Sequence, residues 1–117
     1  MNGFIVNALD IDDGYRLVKG HPGAAVFPAL LAAAEQADAT GKEFLEALII
    51  GYEVAIRAGV ILHGHYGFYH GSGSWGAVGA AAGVARLLGL STAQTGHALG
   101  IAESYACLLY TSPSPRD

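Results

Sequence analysis

The chain has 117 residues, 52% of them apolar, and six basic against ten acidic side chains give a formal net charge of -4. This length fits one ordinary domain with its own core. Because Lys and Arg form no cluster, the sequence disfavours nucleic-acid binding, which requires a basic surface that displaces counterions. A single cysteine, Cys107, cannot form an internal disulfide or a thiolate metal cage, which favours a reducing, cytoplasmic location.

Neither a membrane span nor a secretory signal is expected. The stretch from Ala58 to Ala85 lacks Asp, Glu, Lys and Arg, but its continuous apolar runs are shorter than the ~20 residues that a bilayer requires. The N-terminal residues MNGFIVNALDIDD have no basic segment and lead directly into acidic residues, unlike a signal peptide. The sequence therefore predicts a protein with no membrane partner.

The residue pattern predicts an all-α fold of about five helices. The first helix is expected over roughly 2–9, so that Asp10 lies at its end. The second is expected over about 22–38, because Pro22 is tolerated in a first turn, and Pro28 should kink its interior. Thr40 and Glu43 have the spacing of a capping box, which predicts the start of a long third helix with apolar residues every three or four positions.

An Ala- and Gly-rich fourth helix is expected over about 74–88, with Gly89 in the left-handed conformation that ends it. Glycine lowers helix stability by about 1 kcal/mol relative to alanine, so a helix rich in glycine needs neighbours packed close to its backbone. Gly76, Gly79 and Gly83 therefore predict a central, buried helix. Ser91 and Gln94 repeat the capping-box spacing and predict the start of a fifth helix.

The last eleven residues, CLLYTSPSPRD, differ in composition from everything before them. Ser, Thr and Pro replace the Ala- and Gly-rich pattern, and no periodicity is visible. We interpret residues 107–117 as an artefactual or disordered tail and residues 1–106 as the folded part.

Ionisable residues concentrate in three segments at predicted helix ends, over 10–14, around His21 and over 63–73. Loops on a rigid scaffold are where functional sites are usually built. His21 and His70 both precede a predicted helix, whose positive end favours bound anions such as carboxylates. A neutral imidazole at that position can accept a proton from a substrate.

Other interpretations of these residues remain open. The aspartates at 10, 12 and 13 could be turn residues that end a helix. His63, His65 and His70 with a carboxylate could bind a metal, although no second HxxxH or Cys set supports this. His97 fits a packed or surface histidine better than a ligand. The segment HGSGSWG lacks the lysine and the spacing of a phosphate-binding loop.

Four consecutive segments of the sequence resemble the MmgE/PrpD family: ALDIDDGYRLVKGHPGAAVFPALLAAAE, GKEFLEALIIGYEVAIRAG, GFYHGSGSWGAVGAAAGVARLLGLS and ALGIAESYA. The resemblance covers nearly all of 2–106 and keeps the family's block order and spacing. The family is typified by 2-methylcitrate dehydratase and includes cis-aconitate decarboxylase. The resemblance implies a helical domain, of which this chain is a part, and a smaller α+β lid. It also implies that the active site lies between the two domains and that the enzyme is a homodimer.

The resemblance also implies the site residues. Asp10 matches the first aspartate of the family's D-x-D-D motif, His21 the histidine of its HP block, and His70 the histidine before its glycine-rich helix. We therefore expect Asp10, His21 and His70 to be catalytic, and a second set to bind substrate: Asp13, Gly14, His65, Gly71 and Ser72. Gly14 replaces a threonine of the decarboxylase, His65 replaces a methionine, and the loop between 14 and 21 is one residue longer, which argues against decarboxylation.

The implied activity is that of a hydro-lyase without metal or cofactor. A base removes the proton next to a carboxylate of a 2-methylcitrate-like hydroxy polycarboxylate, and an acid protonates the departing β-hydroxyl, a reaction of propionate catabolism. The family's catalytic lysines are expected on segments outside this chain. The alternatives are an epimerase, isomerase or decarboxylase acting on a related di- or tricarboxylate, a metal-binding module, or an inactive fragment with exposed apolar surface.

Overall fold

The computed structural model describes residues 2–67 and 70–111, with side chains described as far as Ala106. This part of the chain contains five α-helices, which are α1 (Asn2–Asn7), α2 (Pro22–Gln36), α3 (Gly41–His65), α4 (Ser72–Leu87) and α5 (Thr92–Thr111). Within the described ranges no strand forms, and one isolated bridge joins Tyr15 and Gly20. The all-α prediction is confirmed. None of the described helices is long and apolar enough to cross a membrane.

Both predicted capping boxes are present. At the start of α3, the Thr40 hydroxyl accepts a hydrogen bond from the Glu43 amide at 3.3 Å, and the Glu43 carboxylate accepts one from the Thr40 amide at 2.8 Å. The bonds that the Thr40 amide and the Thr40 hydroxyl donate to the Glu43 carboxylate lower its pKa. At the start of α5, the Ser91 hydroxyl accepts a hydrogen bond from the Gln94 amide at 3.3 Å, and the Gln94 side-chain oxygen accepts one from the Ser91 amide at 3.0 Å. Each pair satisfies amides that a helix start leaves without partners.

The helix ends are also close to those expected. Gly89 has a φ of 63° and ends α4 in the left-handed region, as its position predicts. Helix α2 stops at Gln36, two residues earlier than expected, because Asp38 takes a left-handed φ of 50°. Helix α5 continues through Thr111, so its backbone extends five residues past the boundary drawn at 106. Residues 112–117 of the predicted tail lie outside the described residues, and the origin of the tail stays a prediction.

The predicted burial of α4 is confirmed. Its glycines lie against neighbouring helices so closely that a Cβ at Gly79 would contact the Gly51 carbonyl and the Ala55 side chain of α3. A Cβ at Gly83 would meet Leu30 of α2. Small residues thus allow the backbones of α3 and α4 to approach closely, and α4 occupies the centre of the bundle. The fully buried core around it consists of Val18, Val26, Leu30, Ala47, Ala55 and Trp75.

A short 3₁₀ turn over Arg16–Val18, which sequence analysis missed, lies between α1 and α2. The Tyr15 amide donates to the Gly20 carbonyl at 3.0 Å, and Lys19 closes the turn with a φ of 52°. The turn inserts Val18 into the core, where its side chain is fully buried against Gly59 of α3. This anchors the loop that leads directly into His21.

Large apolar side chains remain exposed on several helices. Helix α1 buries none of its residues. Phe4 of α1 is 77% exposed, and Leu9 and Ile11, in the segment that follows the helix, are 76% and 81% exposed. Helices α3 and α5 add further exposed apolar residues, such as Ile49 and Ile101. The described surface therefore exposes more apolar area than a few scattered apolar side chains would give.

The close contact between α3 and α4 generates a prediction for stability. Gly79→Ala should lower the free energy of unfolding by about 2 kcal/mol, because the new Cβ meets helix backbone that cannot move aside independently. The matched control is Gly96→Ala on α5, where an added Cβ meets nothing within 4 Å. That change should raise stability by about 0.5–1 kcal/mol. Urea unfolding followed by circular dichroism measures both, and equal effects would contradict the packing argument.

Candidate active site

Asp10 and His21, two of the predicted catalytic residues, lie next to each other. Asp10 follows α1 in a left-handed turn with a φ of 55°, and its amide donates to the Asn7 carbonyl at 3.0 Å. Aspartate is among the few residues that adopt this conformation readily. The turn brings Asp10 Oδ1 to 3.4 Å from His21 Nε2. The imidazole is about one third exposed, so it is accessible from solvent.

Asp12 lies on the other side of the same imidazole. Its Oδ1 is 3.5 Å from His21 Nδ1, and its side chain is only 2% exposed. The Asn7 side-chain amide donates to both Asp12 oxygens, at 3.3 and 3.0 Å. These two hydrogen bonds compensate for the loss of water around the buried Asp12 carboxylate. From the sequence Asp12 is expected only as a turn residue, and its contact with His21 is not predicted.

The two nitrogens of the His21 ring have different partners. Nδ1 lies 2.7 Å from the backbone carbonyl oxygen of Asp13. A carbonyl oxygen can only accept, so this short contact requires a proton on Nδ1. In the neutral ring, Nε2 is then the nitrogen with the free lone pair, and it faces Asp10. The geometry therefore assigns Nε2 as the atom that can accept a proton from a bound molecule.

Asp13, predicted to bind substrate, contacts other protein groups through its carboxylate. The Gly23 amide donates to its two oxygens at 3.0 and 3.2 Å, and the Tyr52 hydroxyl donates to it from α3. Burial of the phenol and this hydrogen bond raise the pKa of Tyr52 to about 12. Tyr52 was read from the sequence only as one of the apolar positions of α3, since its spacing fits a core-facing residue.

The start of α4 completes this part of the site. The Ser72 hydroxyl accepts a hydrogen bond from the His21 amide at 2.8 Å. Ser72 and Gly73 line a cavity of about 500 Å³ together with Asp10 and His21. A Cβ at Gly14 would lie 4.0 Å from the His21 ring, so a side chain at this position would contact the imidazole. Asp10, Asp13, Gly14, His21 and Ser72 of the predicted set are thus brought together.

His70 and His65 lie in a neighbouring cavity of about 620 Å³. The His70 ring packs edge-on against His63 and Tyr66, with ring centres 6.1 and 5.8 Å apart. Trp75, which is 1% exposed, and Glu103 line the same cavity. The structure therefore places His70 with His65 in a second cluster and not in contact with His21. Gly71, the residue that precedes α4, lies between the His70 position and Ser72.

The described residues contain one group with the spacing of metal ligands, Asp10, Asp12 and His21, each of which offers an atom within 4.8 Å of the others. Such a set could hold a divalent cation. The alternative set considered from the sequence, His63, His65 and His70, does not have this spacing within the described ranges. Nδ1 of His21 already contacts the Asp13 carbonyl, which leaves Nε2 for any ligand.

Residues 1–114 match the family model described as the MmgE/PrpD N-terminal domain. A cis-aconitate decarboxylase-like protein, oryM, from Aspergillus oryzae is 34% identical over 112 residues, which cover 87% of this chain and 23% of that protein. The cis-aconitate decarboxylase of Aspergillus terreus is 30% identical over 119 residues, which cover 95% of this chain and 24% of that protein. The chain spans about a quarter of the length of these relatives. No solved structure matches.

The environment of Tyr52 generates a pH prediction. Its pKa is raised from 10.0 to about 12 in the folded chain, so the stabilisation that depends on the neutral phenol is fully present below pH 10. It should be lost as the pH rises from about 10 to about 12, because the unfolded chain then binds fewer protons than the folded one. Stability measured across this range should fall in the wild type, and Tyr52→Phe should remove that part of the fall.

The titration itself can be assigned by difference. Phenolate absorbance of the wild type minus that of Tyr52→Phe should give one ionisation step with a midpoint near 12. Tyr105→Phe, which removes an exposed phenol, is the matched control and should retain that step. A difference curve centred near 10 would contradict both the burial of the phenol and its hydrogen bond to Asp13.

Proposed function

Since the chain belongs to the MmgE/PrpD family, we propose that it carries the His21 proton-transfer site of a lyase that acts on a small polycarboxylate. The observation that supports this most directly is the environment of His21. Its Nδ1 is held by the Asp13 carbonyl, and its Nε2 faces Asp10 in a solvent-accessible cavity. The proposed reaction is the dehydration of a 2-methylcitrate-like hydroxy polycarboxylate, as in propionate catabolism.

In this proposal His21 acts as the base. Nε2 takes the proton from the carbon next to a substrate carboxylate, and the electron pair of that C–H bond forms the new double bond. The β-hydroxyl leaves with a proton from an acid, so the products are water and the unsaturated acid. Once Nε2 has taken the proton, the Asp10 carboxylate 3.4 Å away can accept a hydrogen bond from it, which orients and stabilises the imidazolium. His70 is the proposed acid, acting on a substrate that extends past the start of α4 into the second cavity.

Substrate carboxylates would be bound by two kinds of group. The amides in the first turn of α4, beyond Ser72, lie at the positive end of a 16-residue helix, which favours an anion. The described residues that line the His21 cavity include Asp10 and no Lys or Arg. A polycarboxylate would therefore need further positive charge, and the family resemblance assigns it to lysines on segments outside this chain. The same resemblance is the basis for proposing a homodimer and chemistry without a metal or cofactor. The single cysteine is the basis for proposing a cytoplasmic location.

Decarboxylation is a second candidate function, and the names of the relatives favour it. The two Aspergillus proteins are called cis-aconitate decarboxylase or decarboxylase-like. In that reaction the bond to a carboxylate carbon breaks, CO₂ leaves, and the electron pair left on carbon takes a proton from an imidazolium. His21 could serve either reaction, because both require a proton exchanged at a carbon next to a carboxylate. Gly14 and His65, which differ from the decarboxylase pattern, are the reason for placing dehydration first.

The role of His21 predicts a loss of turnover. In the complete enzyme encoded by the reading frame that contains this chain, His21→Gln should lower kcat by about 10²–10⁴, the usual contribution of a general base. His97→Gln is the matched control, because His97 is exposed on α5 and lines neither of the two cavities described. Turnover within a few fold of wild type for His21→Gln would contradict the proposal. The same criterion applies to His70→Ala.

The products distinguish the two candidate reactions. The wild-type enzyme should convert 2-methylcitrate with a rise in conjugated-alkene absorbance and without release of CO₂. Release of one CO₂ per cis-aconitate consumed, with no conversion of hydroxy acids, would assign decarboxylation instead. Exchange of the substrate proton with solvent, without either product, would assign an epimerase or isomerase.

A further inference from the structure

Asp13 contacts three parts of the fold, one through its backbone carbonyl and two through its side-chain carboxylate. Its backbone carbonyl lies 2.7 Å from His21 Nδ1. Its carboxylate accepts from the Gly23 amide in the first turn of α2 and from the Tyr52 hydroxyl on α3. The position of the carbonyl that selects the protonated nitrogen of His21 is therefore fixed by groups on two helices.

We propose that Tyr52 is a positioning residue that, through Asp13, holds His21 in the tautomer with the proton on Nδ1 and so keeps Nε2 available for proton transfer. The tautomer itself follows from the geometry of the folded chain. Its consequence for turnover rests on the proposed function of His21. Tyr52 does not line the cavity that contains His21 and Asp10, so it acts on the imidazole through Asp13 and not on a substrate.

The start of α2 explains why Asp13 is held there. His21 is the residue that precedes the helix, but its side chain makes no capping hydrogen bond. The Gly23 amide, one of the donors that a helix start leaves without a partner, is satisfied by the Asp13 carboxylate from outside the helix. A carboxylate at the positive end of α2 is also electrostatically favourable. Asp13 therefore replaces the missing local cap.

The space around Gly23 shows how closely these groups are packed. A Cβ at this position would lie 2.5 Å from the Tyr52 hydroxyl and 2.6 Å from Asp13 Oδ1, closer than any carbon can lie to either atom. Glycine therefore allows the phenol and the carboxylate to meet over the helix start. The Asp13 carboxylate is therefore held by one donor from α2 and one from α3.

Competing partners explain why the tautomer needs to be held. Asp12 Oδ1 lies 3.5 Å from Nδ1, and Asp10 Oδ1 lies 3.4 Å from Nε2. Each of these carboxylates can accept a proton from the nitrogen that it faces, so they do not by themselves select one tautomer. The Asp13 carbonyl, at 2.7 Å, makes the shortest of these three contacts and decides in favour of Nδ1–H. Displacing that carbonyl should leave a mixture of the two forms.

The first test measures the tautomer without any substrate. ¹⁵N NMR of the 117-residue chain, with the His21 signals assigned by their loss in His21→Gln, should show a protonated Nδ1 and an unprotonated Nε2 at a pH where the ring is neutral. Tyr52→Phe should shift both nitrogens toward averaged values. Tyr105→Phe, which removes an exposed phenol, should not change them. A wild-type ring protonated on Nε2, or a Tyr52→Phe spectrum identical to wild type, would overturn the proposal.

The second test uses turnover in the complete enzyme. Tyr52→Phe should lower kcat by about ten- to a hundredfold with little change in KM, because the base is misplaced and not removed. Asp13→Asn should show the same changes in the NMR spectrum and in kcat. Unchanged kcat in both variants would overturn the role in turnover. A Tyr52-dependent tautomer in a wild-type protein without lyase activity would support the positioning role and overturn the proposed function.

Discussion

The close approach of α3 and α4 is the constraint on which the rest of the structure depends. Gly79 faces Gly51 and Ala55 with no room for a side chain, and this fixes the position of α4 in the bundle. Ser72 lies at the first residue of that helix, so the hydroxyl that binds the His21 amide is placed by the same packing. A helix built from residues with little side-chain volume thus determines where the imidazole lies. Rigid placement of this kind is what a proton-transfer site requires.

The helices were predictable because their signals are local. The Thr40–Glu43 and Ser91–Gln94 pairs each contain both partners of a capping box within four residues, and Gly89 supplies the conformation that ends α4. The family resemblance also identified Asp10 and His21, which the fold brings to 3.4 Å. The hydrophobic period could not predict the turn that buries Val18, because a segment of three residues is too short to show one.

The contacts around His21 were harder to predict, because they join distant positions. Tyr52 follows the apolar period of α3, and nothing near it in the sequence indicates that its hydroxyl reaches Asp13. The separation of His70 from His21 was also not visible in the sequence. Both histidines precede helices, and only the packing of α4 shows that they line different cavities. Local patterns thus indicated which residues carry the chemistry, and tertiary packing decided how they are grouped.

Helix α1 has a consequence for how the site responds to heat. Its six residues bury no side chain, yet Asn7 on this helix holds the buried carboxylate of Asp12 beside the imidazole. Segments with little buried apolar area open at a lower free energy than the core that supports them. The acidic side of the site therefore depends on a segment less stable than the core, whereas His21 itself is bonded to Ser72 of α4 and leads directly into α2. On warming, the carboxylates should separate from the imidazole while the helical bundle is still intact.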